Sequence, residues 1–380
     1  MKVFRIVPMF RRNKEVECYI PQMHGFTLEE EADILSRISS FVPEKRWAFA
    51  EQAIPGDYSG VLVSQNSPSQ RIRMLRDAQK EIIGYNLQVG LGVKELIERC
   101  HGVAIDIRYE QCEQLMSLLD VFGDKRTRRI ALGITNIHQF EQWHRYGFDY
   151  FIGDFYTKAV IAGGDLRKRL SPVKANKLAI LSEINNWNAD DSNAGLNAIA
   201  EIIERDVYLT MSLLKVANSA FFTRQAGSSV NNLRDAVVRI GVNHLREWAV
   251  GILASDLADD KSPEISRVAL LRAKFMENLA IRMNLDRWRA FMTGLLSVSG
   301  VMLGITLEEA IRELNVPEDI LGYIHYQDAL GQTYGLAESY LSGDVKNLES
   351  MGAGQPILDN LYIAYLTAET WVFDVLRNLA

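Results

Sequence analysis

The hydrophobic pattern of this 380-residue chain changes class once, and that change limits the folds open to it. Before about position 160, short β-type runs at 3–10, 15–20, 47–51, 60–64, 86–91, 102–107, 130–134 and 150–156 alternate with helical spacing at 28–40, 70–83, 109–122 and 137–146. Such alternation implies a largely parallel sheet with crossover helices, either doubly wound or closed into a barrel. The first two runs are separated only by Arg11, Arg12, Asn13 and Lys14, so they are expected to pair as an antiparallel hairpin. After about Asp165 the β signal stops. The stretches 178–187, 196–204, 207–216, 233–240, 244–257, 265–282, 287–300, 307–314 and 359–379 carry apolar residues at i, i+3, i+4 and i+7. A glycine-led charged segment, GGDLRKR at 163–169, suits an exposed joint. Two domains are therefore expected, 1–164 and 165–380, rather than one large barrel.

Composition excludes several classes of function. A net charge of −6 argues against a nucleic acid polymer as partner, because phosphate contacts need surplus Lys and Arg. No window reaches the roughly 20 apolar residues of a membrane helix, and the charged start MKVFRIVPMFRRNK does not read as a signal peptide. No membrane association is expected, and the chain is expected in the cytoplasm. Cys18, Cys100 and Cys112 form no Cys-x-x-Cys pair and read as free thiols. His138 and His144, six apart, share no helical face, so they suggest no metal site.

The most specific string is DVYLTMSLLKVANSAFF at 206–222, followed by DAVVRIGVNHLR at 235–246. Asp206 is suited to cap a helix, and Asn218-Ser219 to end one. The pair closely resembles the signature of HDOD domains, in which a D-x-x-L-T-x-x-L-L-x-x-A-N-S-A-x-F stretch precedes an A-V-x-x-L-G-x-x-x-L helix pair. HDOD domains resemble HD phosphohydrolases, whose metal-binding His-Asp pair sits in a Gly-Leu-Leu-His-Asp segment. Here TGLLSVSG at 293–300 puts Ser297 and Val298 at those places, and no histidine lies between His244 and His325. The resemblance thus implies an all-helical HDOD fold without hydrolytic chemistry. A helix-turn-helix around Gly241 is the competing reading. It is disfavoured because Leu245, Trp248, Ala249, Ile252 and Leu253 read as core, with only Arg246 left to reach a base.

The β/α half resembles EAL domains, the barrel-type cyclic di-GMP phosphodiesterases. Similarity lies in PMFRRNKEV at 8–16 and in the stretch from Ile130 through Gln139-Phe140-Glu141 to Gly147-Phe148-Asp149-Tyr150 and Lys158. That family needs a cluster of carboxylates to hold two divalent metals. Laid on its motifs, the E-x-L-x-R positions are Ile20, Gln22 and His24, and the two aspartates fall at Gly90 and Leu91. The K-x-D lysine falls at Ala104, leaving Asp106 alone; the A-E-G-V-E acids fall at Leu132 and Thr135, and the Q-G-Y glutamine at Ile152. Asp106 then reads as a hydrogen-bond acceptor or cap at a strand end.

The fold expected is α/β plus all-α: a trimmed or degenerate EAL-type β/α barrel followed by an all-helical HDOD domain. The short span between Tyr19 and Gly60 suggests an open edge that another protein, or the helical half itself, covers. The first function expected is a non-enzymatic bacterial signalling protein related to cyclic di-GMP circuits, with no catalytic residue, cofactor or metal. Its expected partners are other signalling proteins, with a homo-oligomer also open. The alternative is a non-hydrolysing sensor of cyclic di-GMP or another nucleotide. Phosphate contacts would then come from Lys125, Arg126, Arg128 and Arg129 or from the basic residues between Arg71 and Arg76.

Overall fold

The computed structural model describes residues 2–39, 47–49, 60–64, 77, 79, 81–85, 97–108, 113–114, 116–117, 120, 127–157, 200, 203, 213, 217, 236–241, 245, 263–303, 306–309, 329–352 and 355–379. Strands β1 (Val3–Arg11) and β2 (Val16–His24) form the expected antiparallel hairpin. Lys14 turns it with a φ of 65°, and the Asn13 side chain accepts a hydrogen bond from the Glu15 N–H. Helix α1 (Leu28–Ser39) starts on a capping box: Thr27 Oγ1 accepts from the Glu30 N–H while the Glu30 carboxylate accepts from the Thr27 N–H.

Strands β3 (Trp47–Phe49), β4 (Gly60–Ser64), β5 (Glu81–Tyr85), β6 (Gly102–Asp106), β7 (Arg128–Ile134) and β8 (Tyr150–Gly153) run parallel to one another. Helix α2 (Ile137–Arg145) connects the last two, capped by Asn136. The sheet order is β2-β1-β8-β7-β6-β5-β4-β3, and the sheet curls until its edge strands β2 and β3 lie side by side. No ladder joins that pair among the described residues. Side chains alternate across the strands. Met9, Cys18, Ile20, Ile83, Ala104, Ile130 and Ile152 fill the inside of the curl, while Phe10, Ile82, Val103, Ile105, Ala131 and Phe151 meet Phe140 of α2 outside.

Two expectations change here, and a third falls outside the described residues. Residues 81–83, expected at the end of a helix, are strand: Ile82 and Ile83 are adjacent, β-branched and buried on opposite faces, which only an extended chain allows. The strand expected at 86–91 lies outside the described residues. The run expected to 156 ends at Gly153, and Phe155–Thr157 close into a 3₁₀ turn held by the Asp154 carbonyl.

The described residues beyond position 165 are helices and turns. They comprise α3 (Pro263–Met283), α4 (Arg287–Leu296), α5 (Ser299–Leu303), α6 (Ala329–Ser342), α7 (Val345–Ser350) and α8 (Gln355–Leu379), with further helical residues at 236–241. The single helix expected over 287–300 is divided at Ser297, and α6 and α7 were not anticipated. Helix α3 is the hub, touching α4, α6 and α8. The largest core includes residues from both sides of position 165: Phe4 and Ile6 of β1 and Ile34, Leu35 and Ile38 of α1 join Phe275, Phe291, Tyr340 and Tyr365.

Strand β1 explains how. It pairs with β8 only at Met9–Arg11, so its first half runs past the end of β8 with one edge bare. Two tyrosines complete that edge. The Tyr340 hydroxyl accepts from the Phe4 N–H at 3.1 Å and donates to the Phe4 carbonyl at 3.0 Å, while the Tyr365 hydroxyl accepts from the Ile6 N–H at 3.1 Å. The backbone groups a neighbouring strand would satisfy are met by side chains from α6 and α8.

Candidate functional site

The parallel strands end together at one mouth of the curled sheet, where open α/β sheets place their ligands. Of the positions singled out in the sequence, Ile20, Ala104 and Ile152 lie inside the curl, with Leu132 packed on them. Gln22, Thr135 and Ile152 face a cavity of about 500 Å³ at the mouth. Asp106 acts as a cap: its Oδ1 accepts from the Arg108 N–H at 3.0 Å, and both its oxygens pair with the Arg108 guanidinium. Gln88, Gly90 and Leu91 lie outside the described residues.

The far wall of the cavity belongs to the helices, and it carries Arg267 and Arg272 of α3, Ser297 and Glu338. Ser297, at the place of the HD histidine, accepts a 3.2 Å hydrogen bond from Arg272 Nη1, and its own hydroxyl donates to the Gly294 carbonyl at 2.6 Å. Arg272 also pairs with Glu338. The mouth of the sheet and this segment of the helical half therefore face one shared space.

Beside it lies a fully buried ionic network. Arg267 donates from Nε to Glu264 and from Nη1 to Glu369, both at 2.6 Å. Tyr19 of β2 donates to Glu264 at 2.9 Å, and Tyr365 donates to Glu369 while accepting from β1. The guanidinium stands over the rings of Tyr19 and Phe373. Burial pushes the Glu264 carboxyl up, against the pull of Arg267. Burial alone would lower Arg267, but Glu264 and Glu369 more than offset it and hold the guanidinium well above its usual range. Burial first, and the adjacent carboxylates second, push Tyr19 and Tyr365 well up. The three ionic groups hold α3 and α8 against the hairpin.

Arg5, on the bare half of β1, is different. Its Nη1 donates to the Leu341 carbonyl at 3.0 Å and its Nη2 to Gln22 Oε1 at 2.6 Å, so both acceptors are neutral. Gly343, with φ of 72°, passes so near that a Cβ there would lie 2.6 Å from the guanidinium carbon. Burial draws the Arg5 pKa below its usual value, opposed by the fields of Tyr365, Tyr340, Tyr156 and Asp154.

Of the basic residues expected to bind phosphate, Arg128 and Arg129 sit elsewhere. Arg128 pairs with Glu81 and Arg129 with Asp120, both at the start of β7, the end of the sheet away from the mouth. Lys125, Arg126 and residues 71–76 lie outside the described residues. Of the residues expected as core after Gly241, Leu245 is buried in helical conformation, and Trp248, Ala249, Ile252 and Leu253 lie outside the described residues. Sequence reasoning missed Arg5, Tyr156, Glu264, Arg267, Arg272 and Glu369. A signal existed for one pair: Glu264 and Arg267, three apart, interrupt the apolar run Ile265, Val268, Ala269, Leu271, as a buried ion pair does.

Residues 179–318 match the HDOD domain family. Over 257 residues the chain is 24% identical to the cyclic di-GMP phosphodiesterase CdgJ of Vibrio cholerae, covering 66% of this chain and 57% of that protein. It is 22% identical to the uncharacterized protein YuxH of Bacillus subtilis over 266 residues, 68% of this chain and 62% of that one. The matched stretches thus span about three-fifths of these relatives. Among solved structures, an EAL domain protein from Listeria monocytogenes overlaps 41% of this chain and 87% of its own, with TM-score 0.32 and 8% identity. A standalone EAL protein from Vibrio cholerae O395, solved with cyclic di-GMP bound, overlaps 42% and 92%, with TM-score 0.32 and 11% identity. The described residues hold no group of three His, Cys, Asp or Glu spaced for a metal ion, and no helix long and apolar enough to cross a membrane.

Proposed function

We propose that the chain is a non-hydrolysing signalling protein of the cyclic di-GMP type, an EAL-like β/α half joined to an HDOD half, working through contacts with other proteins. The observation that carries this reading is the lining of the sheet mouth. Two divalent metals need several converging carboxylates. Here the described motif positions bear Gln22, Thr135 and Ile152, and the walls bring in Arg5, Arg108, Arg267 and Arg272; of the carboxylates, Asp106 is engaged by Arg108 and Glu338 by Arg272, and Asp154 alone adds another to the lining. A guanidinium repels the metal that a carboxylate would hold. The HDOD match and the name of the Vibrio cholerae relative support the link to cyclic di-GMP signalling. Such a protein works in the bacterial cytoplasm.

The test incubates the full chain with cyclic di-GMP and Mg²⁺ or Mn²⁺ and follows products by chromatography. No pGpG above the protein-free control is expected, and metal-dependent release of pGpG overturns the non-hydrolysing reading. Crosslinking in bacterial lysate tests the rest: specific partner crosslinks are expected, and a strictly monomeric, partnerless chain counts against it.

A further inference from the structure

Among the described residues, each arginine lining the cavity has a carboxylate partner except one. Arg108 has Asp106, Arg267 has Glu264 and Glu369, and Arg272 has Glu338, whereas Arg5 donates only to an amide oxygen and a backbone carbonyl. A guanidinium has five N–H donors, and described residues accept from two of those on Arg5. Two more donors face the same space. Arg272 Nε is buried with no acceptor among the described residues, and the Tyr156 hydroxyl has no hydrogen-bond partner there. Arg5, Tyr156 and Arg272 line the same cavity, together with the carboxylates of Asp154 and of Glu338, the latter paired with Arg272. A buried charge is stable when paired, and the N–H groups of Arg5 and Arg272 that no described acceptor fills leave room for an oxyanion. The remaining wall includes Val7, Pro8, Ile152, Val268 and Leu271, and about 500 Å³ falls in the range of small-molecule sites.

We propose that this cavity binds a small organic anion, its phosphate or carboxylate group held by Arg5, Arg272 and Tyr156 and its uncharged body lying on the apolar wall. The site joins β1, the turn after β8 and helix α3, so its occupant ties the two halves together. Binding requires no hydrolysis, and neither this assignment nor the function proposed above depends on the other.

Calorimetric titration of the full chain with phenyl phosphate, benzoate and neutral benzyl alcohol at matched ionic strength tests it. Saturable binding of at least one anion is expected, with benzyl alcohol much weaker; the anion preferred tells phosphate from carboxylate. Arg5→Gln is expected to weaken that binding about tenfold or more and Tyr156→Phe about threefold or more, while Lys346→Gln on exposed α7 leaves it unchanged. Tyr156→Phe removes a hydroxyl with no hydrogen-bond partner among the described residues, so it decides the matter if Arg5→Gln does not fold. The proposal is overturned if neither anion saturates below about 10 mM, if benzyl alcohol binds as well as the anions, or if Tyr156→Phe binds as the parent does.

Discussion

Tyr340 shows how much one side chain carries here. It is fully buried, and its hydroxyl closes both hydrogen bonds of Phe4 that would otherwise face an absent strand. Tyr340→Phe keeps the ring and orphans a buried N–H and C=O, at a cost of about 1–3 kcal/mol. Tyr156→Phe removes a hydroxyl with no partner among the described residues and is expected to change stability by less than about 0.5 kcal/mol. Urea midpoints at an unchanged m-value compare the two. The buried tyrosines also set an alkaline limit. Tyr19, Tyr156, Tyr340 and Tyr365 are all pushed above the usual value of 10.0, chiefly by burial. Above that pH the unfolded chain loses these protons first, so the folded state binds more. Their contribution is complete below pH 10 and declines as pH rises, by up to about 1.4 kcal/mol per pH unit for each tyrosine. Urea unfolding between pH 8 and 11 is expected to show that decline, shallower in Tyr340→Phe by one tyrosine's share; stability that holds or rises contradicts it.

At the scale of elements, the crossing of α3 and α4 rests on Gly294. A Cβ there would overlap the backbone carbonyl of Arg272, which cannot rotate aside as a side chain can. Alanine gains about 1 kcal/mol of helix propensity over glycine, but overpacking against backbone costs about 1–3 kcal/mol, so Gly294→Ala is expected to lower the thermal midpoint. A raised midpoint would show that the helices part freely. The elements that sequence made legible were those whose signals are local. The RRNK turn fixed the hairpin, and helical spacing of apolar residues marked α1 and α3. Helix α6 gave no stripe: it buries Leu330, Gly331, Thr333, Gly335, Ala337, Ser339 and Tyr340, a mixture of small and polar residues carrying two glycines. The site was half legible for the same reason. Gln22, Thr135 and Ile152 stand at motif positions and do line the cavity, whereas Arg5, Tyr156 and Arg272 come from three distant segments with no shared spacing.

For the whole molecule, the change of pattern near Asp165 marks a change of structural class in the described residues, while the packing crosses it. Phe4, Ile6 and α1 belong to the helical core, and Tyr19 reaches Glu264. The ionic network is the tightest of these ties. Arg267→Met would leave Glu264 and Glu369 buried without their cation, held only by neutral donors such as Tyr19 and Tyr365, so it is expected to cost about 3–5 kcal/mol, measured by urea unfolding. The same logic predicts what separation does. A fragment of residues 1–164 would expose the apolar side chains of Phe4, Ile6, Ile34 and Ile38 together with the bare edge of β1, and such an edge pairs with other copies. It is expected to elute as large oligomers in size-exclusion chromatography, and co-expression with residues 165–380 is expected to return it to a single soluble species. A monomeric fragment that unfolds cooperatively by itself would mean that the tyrosines of α6 and α8 cover an edge the hairpin can satisfy without them. The docking of the two halves would then be free to open and close instead of being a condition of folding.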